Sequence, residues 1–260
     1  SFPTRRSSDL SLLTIDPGVE VRFEPGTLLL VSGKIVAAGT AGSDILFTSN
    51  AAVPAAGDWG EIEIQATADP TSRFEYCTIE YGGGGTRGAN LFYATSAPSV
   101  PLHRATLRFS AGDGLGVRTA SPSITYCTFH DNDGWGIFGD ILINSDMDSV
   151  VTVNNGTGGI RIPNNAHPTI TRATVANNDI GIFTGNGAYP SITESDILNN
   201  RLGLESAFDG NPTVHNCNLT GNTEFGIYHP GSNRLDARRN YWGDRNGPYN
   251  AFYNPAGGGD

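Results

Sequence analysis

From Leu12 onward the chain is built of short apolar runs closed by Gly, Asn, Asp or Pro, and no stretch shows the 3.6-residue period of a helix. The pattern predicts short strands joined by tight turns. It also recurs. Four segments align: SPSITYCTFHDNDGWGIF from Ser121, HPTITRATVANNDIGIF from His167, YPSITESDILNNRLGLE from Tyr189, and NPTVHNCNLTGNTEFGIY from Asn211. Pro168, Pro190 and Pro212 lie 22 residues apart, and the 46 residues between Pro122 and Pro168 leave room for one more unit, SVVTVNNGTGGIRI. An Asn stands ten residues past each proline, and the added unit supplies its own, so that Asn132, Asn155, Asn178, Asn200 and Asn222 follow one another at 23, 23, 22 and 22 residues. Internal repeats of this size mark solenoids.

A unit of this length, with two or three strands and no helix, suits one coil of a parallel β-helix, each coil stacked about 4.8 Å above the last. Equivalent residues then form columns. Ile124, Met147, Ile170, Ile192 and Val214 make one apolar column, and Phe129, Thr152, Val175, Ile197 and Leu219 a second. The Asn column is expected to be a structural amide ladder at a turn, each side chain bonding the next and the Asn tolerating a left-handed backbone. Gly136, Gly159, Gly181, Gly203 and Gly226 are expected to bend the chain before the next strand. RFEYCTIEYG, HRATLRFSAGDGLGV and TLLLVSGKIVAAGTAGSDILFTS read as earlier coils in the same register.

The opening SFPTRRSSDL breaks this pattern and offers no face to bury. Its string resembles one reading frame of a sequencing adapter, so residues 1–10 are expected to be a non-native scar. The β-helix domain is then 11–239 and a capping segment 240–260, with further parts of the chain expected beyond both ends.

Composition narrows the partners. The 260 residues carry a net charge of −10, or −11 without the opening segment that holds Arg5, Arg6 and Asp9. An acidic chain with no Lys/Arg cluster is not expected to bind nucleic acid or anionic membranes. No apolar run approaches the ~20 residues of a membrane span, so no membrane insertion is expected. Cys77, Cys127 and Cys217 share one repeat position, filled elsewhere by Val150, Ala173 and Ser195. Cys127 and Cys217 are four coils apart, roughly 19 Å, and a disulfide needs Cα atoms within about 7 Å. They read as buried small residues rather than a redox or metal motif.

Several further stretches carry a family likeness. LTIDPGVEVRFEPG, GKIVAAGTAGSDILFTS, GDWGEIEI and FEYCTIEYGGGG resemble the opening of secreted bacterial right-handed parallel β-helix repeat proteins of the pectin-lyase-like superfamily, and RRNYWGDRNGPYNAFYNPAGGGD resembles their end-of-helix segment. The resemblance implies an all-β, right-handed, single-stranded parallel β-helix, a solenoid of roughly 22-residue coils. It also implies an extracellular or cell-surface location, and Trp242 as a structural cap over the last coil.

The superfamily includes polysaccharide lyases, galacturonan hydrolases and alginate epimerases. Lyases need an Arg or Lys base and a cation, often calcium, to neutralise a uronate carboxylate; the hydrolases need paired or triple Asp with a nearby His. Neither pattern is present, and no catalytic residue is assigned. DNDG, with Asp131 and Asp133, superficially resembles a calcium loop but lacks the other oxygen ligands at loop spacing. Calcium there is a minor expectation, and no other cofactor is implied. The five His scatter over different coils. The column one residue before the Cys slot holds Tyr76, Arg104, Tyr126, Ser149, Arg172, Glu194 and Asn216. Aromatic faces interleaved with guanidinium groups suit sugar rings and their hydroxyls or carboxylates, although strand surfaces favour Tyr, Arg and Thr in any case. The insertion GGGGTR adds Arg87 as a candidate. The leading expectation is a non-catalytic scaffold that binds a polysaccharide or cell-surface glycan through Tyr76, Arg104, Tyr126, Arg172 and Arg87. The alternatives are a polysaccharide lyase or related enzyme and a rigid spacer in an adhesin.

Overall fold

The structure is a computed structural model that describes residues 11–141, 143–249 and 254–259; segment 1–10 lies outside them. The described residues contain strands and no helix, wound into about nine turns. Each coil gives one strand to each of three parallel sheets, except that the last gives the second sheet only an isolated bridge at Asn218. The coil that begins at Pro122 shows the plan, with Ile124–Thr125, Thr128–His130 and Trp135–Gly139 entering the first, second and third sheet. The first sheet runs from Leu12–Ile15 to Thr213–His215, the second from Glu20–Phe23 to Asp196–Leu198, and the third from Leu29–Val31 to Phe225–Tyr228.

Alternation along each strand sends every second side chain inward, where it meets its equivalents above and below. Ile124, Met147, Ile170, Ile192 and Val214 pair in register in the first sheet, none more than 1% exposed. Phe129, Thr152, Val175 and Ile197 do the same in the second. Each buried aliphatic side chain contributes about 1.5–3 kcal/mol. Thr152 is the exception within its column: its hydroxyl is buried without a hydrogen-bond partner.

From the third coil onward, two corners of each coil turn through a single left-handed residue. Between first and second sheets this is the column from Tyr76 to Asn216, with φ from 48° to 56°. Its members lie between strands rather than in them, so strand preference is not what selects their residue types. Between second and third sheets the left-handed residues are Tyr81, Phe109, Asp131, Asn154, Asn177, Asn199 and Gly221. The ladder Asn follows each of the last five, one residue later than the left-handed position and with ordinary φ. The expectation that the ladder residues themselves adopt the left-handed backbone is therefore corrected.

Behind that second corner the amides form a continuous chain. Nδ2 of Asn132 donates to Oδ1 of Asn155 at 2.9 Å, Asn155 to Asn178 at 3.2 Å, Asn178 to Asn200 at 3.2 Å, and Asn200 to Asn222 at 3.1 Å. Each acceptor also takes the backbone N–H of the Asn below it, and each Nδ2 also donates to a carbonyl of the coil below. The glycines read as bends have a different role. They sit inside third-sheet strands with no left-handed φ. A Cβ on Gly136 would stand 2.9 Å from the Gly159 carbonyl oxygen and 3.0 Å from Asn155 Nδ2; on Gly203 it would stand 2.5 Å from the Gly226 oxygen and 2.8 Å from Asn222 Nδ2. The ladder and the next coil already occupy that space, which is a close-approach constraint.

At the far end, Trp242 is half-buried and packs on the apolar core. Tyr241 exchanges backbone bonds with Cys217 and Leu219, which lays this segment along the last coil.

Asn178→Ala strips the N–H and the amide of Asn155 of their shared acceptor, and we expect a loss of about 3 kcal/mol in denaturant unfolding. Thr152→Val removes a buried hydroxyl with no partner, and we expect a gain of about 1 kcal/mol in the same measurement.

Candidate functional site

The first corner places its side chains outward as a ridge that runs from the third coil to the end of the solenoid. The N–H of each left-handed residue donates to a carbonyl of the next coil: Tyr76 to His103, Arg104 to Thr125, Tyr126 to Asp148 and Arg172 to Thr193, at 2.9–3.2 Å. The side chain is thus held outside while the backbone is satisfied. In three consecutive coils the ridge carries Tyr76, Arg104 and Tyr126. The Arg104 guanidinium carbon lies 5.5 Å from the Tyr76 ring centre and 4.9 Å from that of Tyr126. His103 meets both rings edge-on, at 6.5 and 5.7 Å, and is anchored to Thr125 Oγ1 at 2.6 Å. Among the described residues Arg104 has no ion-pair partner, so its edge donors are free in an otherwise acidic chain.

The other candidate arginines are neutralised. Arg172, two coils beyond Tyr126, pairs with Asp148 at 2.5 Å and Glu194 at 3.8 Å. Arg87 lies off the ridge, on the outer face of the third sheet. It pairs with Glu63 at 3.1 Å and covers the Phe92 ring at 5.1 Å. The ridge continues to Arg239, also left-handed with φ 62°. Beside it is an open groove of 470 Å³, lined by Glu194, Asp196, Asn216, Arg239 and Tyr241 among others.

The third sheet holds a second aromatic–arginine sandwich. The Arg161 guanidinium sits 4.6 Å from the Phe138 ring centre and 5.7 Å from that of Phe183, and bonds the Gly139 carbonyl at 2.8 Å. Burial holds its pKa below the usual arginine value. Nearby, burial pushes the Asp113 carboxyl up to about 6, although it accepts the Trp135 N–H at 2.8 Å and feels Arg161.

A family described as Right handed beta helix region matches residues 113–242, half of the chain. The chain belongs to the right-handed β-helix family. Among solved structures, pectate lyase Pel9A resembles the β-helix with a TM-score of 0.41 and 12% identity; the alignment covers 87% of this chain and 66% of that one. This chain therefore spans 66% of that neighbour's length. No curated protein sequence matches it.

The β-helix places the other sequence candidates as follows. Asp131 is the left-handed corner residue of its coil and is bonded to His130 Nδ1 at 2.6 Å; Asp133 donates its N–H to the Ser110 carbonyl. DNDG thus forms the second corner, and among the described residues no three His, Cys, Asp or Glu side chains gather to hold a metal. Cys77, Cys127 and Cys217 are free and buried. Burial pushes the thiols of Cys77 and Cys127 up to about 12, which leaves almost no nucleophilic thiolate. Asp113, Arg161 and Glu61 were not visible as candidates, because each matters only through a neighbour from another coil.

Glu61 is 1% exposed, and its Oε2 has no hydrogen-bond partner. It lies under Gly85, where a Cβ would fall on the carboxylate itself. Burial raises its pKa, Glu63 raises it further, and Arg87 opposes both. A carboxyl raised in the folded state stabilises fully below its unfolded pKa, and that contribution is lost as pH rises through the folded pKa. Glu61→Gln should therefore raise stability at pH values above this range and leave it unchanged below. Denaturant unfolding across pH measures the difference, and equal gains at all pH values would contradict the assignment.

Proposed function

We propose that the chain is an extracellular, non-catalytic β-helix scaffold that binds acidic polysaccharide along the ridge between its first and second sheets. The observation that carries this reading is Arg104. Its guanidinium is fixed between two tyrosine rings, each contact contributing about 0.5–1 kcal/mol at an exposed site, and no protein carboxylate occupies its donors. An arginine held in one orientation loses little entropy when it forms paired bonds to a carboxylate. Tyr76 and Tyr126 supply the flanking apolar surface and hydroxyls for the adjoining sugar units. Arg172 contributes less, since Asp148 and Glu194 already share its charge. Arg87 belongs to a different face and is not part of this site.

Native gels cast with acidic and neutral polysaccharides test the reading. We expect retardation in an acidic glycan, weakened about tenfold by Arg104→Ala and by added salt, while unfolding is unchanged. Retardation insensitive to Arg104→Ala would remove the ridge from consideration. Clearing of the polysaccharide around the band would instead assign the enzyme reading and make Asp113 and Arg161 the first residues to replace.

A further inference from the structure

The outer face of the third sheet differs from the other two. In the first sheet the outward column holds Thr125, Asp148, Thr171 and Thr193. In the third, the register places Phe92, Gly116, Phe138, Arg161, Phe183, Glu205 and Tyr228 directly above one another in seven successive coils. Aromatic and non-aromatic residues alternate over these seven coils; below them the column continues through Glu63 and Leu30, where the alternation ends. The rungs are therefore two coils apart, ~9.6 Å at one strand spacing per coil. Arg161 fixes the separation of the middle pair, wedged between Phe138 and Phe183. The Phe92 ring leans over Gly116, where a Cβ would meet it at 2.7 Å. Phe92 is buried beneath Arg87, so the accessible face begins at Phe138, and exposure rises toward the end of the column, where Tyr228 is 38% exposed beside Phe225 at 48%.

From this spacing we infer a second binding face, specific for a neutral, extended β-1,4-linked polysaccharide of the cellulose, chitin or mannan class. Consecutive sugars in such a chain are flipped by half a turn, so only every second ring presents the same face and edge. The repeat of the extended disaccharide is close to the two-coil rung spacing. A straight polymer laid along the solenoid axis thus meets an aromatic rung at each disaccharide from Phe138 through Phe183 to Tyr228, with Arg161 and Glu205 as hydroxyl partners between rungs. An α-1,4-linked galacturonan winds as a three-fold screw and does not repeat at this interval. This face shares no residue with the Arg104 ridge, so the inference stands or falls apart from that reading.

Co-sedimentation of the whole chain with microcrystalline cellulose, chitin and insoluble mannan tests it. We expect binding to at least one of the three. Tyr228→Ser and Phe183→Leu should each weaken it roughly three- to tenfold, and Arg104→Ala should leave it unchanged. Absence of binding to all three polymers would overturn the inference. So would undiminished binding by the Phe183→Leu, Tyr228→Ser double variant with an intact unfolding transition. Binding confined to galacturonan and abolished by Arg104→Ala would also overturn it, while supporting the ridge.

Discussion

Stacking one parallel coil directly on another constrains everything else in this molecule. Every backbone group must find its partner one strand spacing above or below, so any departure at a corner would propagate through the sheets. The single left-handed residue at each of two corners meets the demand, because it turns the chain while its N–H stays aimed at the next coil. For residues other than Gly or Asn, that conformation costs roughly 1–2 kcal/mol. At the second corner the later coils keep the cost low with Asn154, Asn177, Asn199 and Gly221, whereas Tyr81, Phe109 and Asp131 bear it in the earlier ones. At the first corner, Tyr76, Arg104, Tyr126 and Arg172 occupy the same conformation without that relief. Residues kept in an unfavourable backbone region, with side chains directed outward, point to a surface role.

The same stacking dictates the electrostatics. Side chains in one outward column are too close for like charges to be tolerated. Where arginines appear they mostly pair with acids, within one column as in Asp179–Arg201–Glu224 or from the neighbouring column as Asp148 does for Arg172. Arg104 and Arg161 break this rule in the same way, each taking aromatic rings above and below in place of carboxylates. Their consequences diverge with burial. Arg104 is exposed and keeps its donors available, whereas Arg161 is half-buried and spends one on a backbone carbonyl.

How much of this can be read from the chain depends on whether a feature lives in one coil or between coils. The Asn ladder, the two apolar columns and the cysteine slot are legible because each recurs at a fixed position in consecutive repeats. The reason for the glycine column is not, since the clash it avoids is with the amide and carbonyl of the next coil. The Arg104 sandwich is half legible: alignment by the cysteine slot brings Tyr76, Arg104 and Tyr126 into one column, but nothing in the residue types shows that the arginine lies between the rings with its charge unpaired. Glu61 escapes notice because its carboxyl becomes buried only when the Gly82–Gly85 loop of the following coil closes over it.

The third-sheet column is hidden in the sequence by a one-residue variation in spacing. Counting five or six residues past each ladder Asn leads to Phe138, Arg161, Phe183, Glu205 and Tyr228. The offset varies by one because the extra residue of a 23-residue coil falls on either side of the ladder Asn, so a strict repeat alignment scatters the aromatics over two positions. Hydrogen-bond register removes the ambiguity, as the strands must pair whatever the turns between them contain. In a solenoid, then, inward chemistry is constrained by packing and repeats visibly. Outward chemistry is free to vary from coil to coil, and a two-coil period there reflects something other than the fold's own needs.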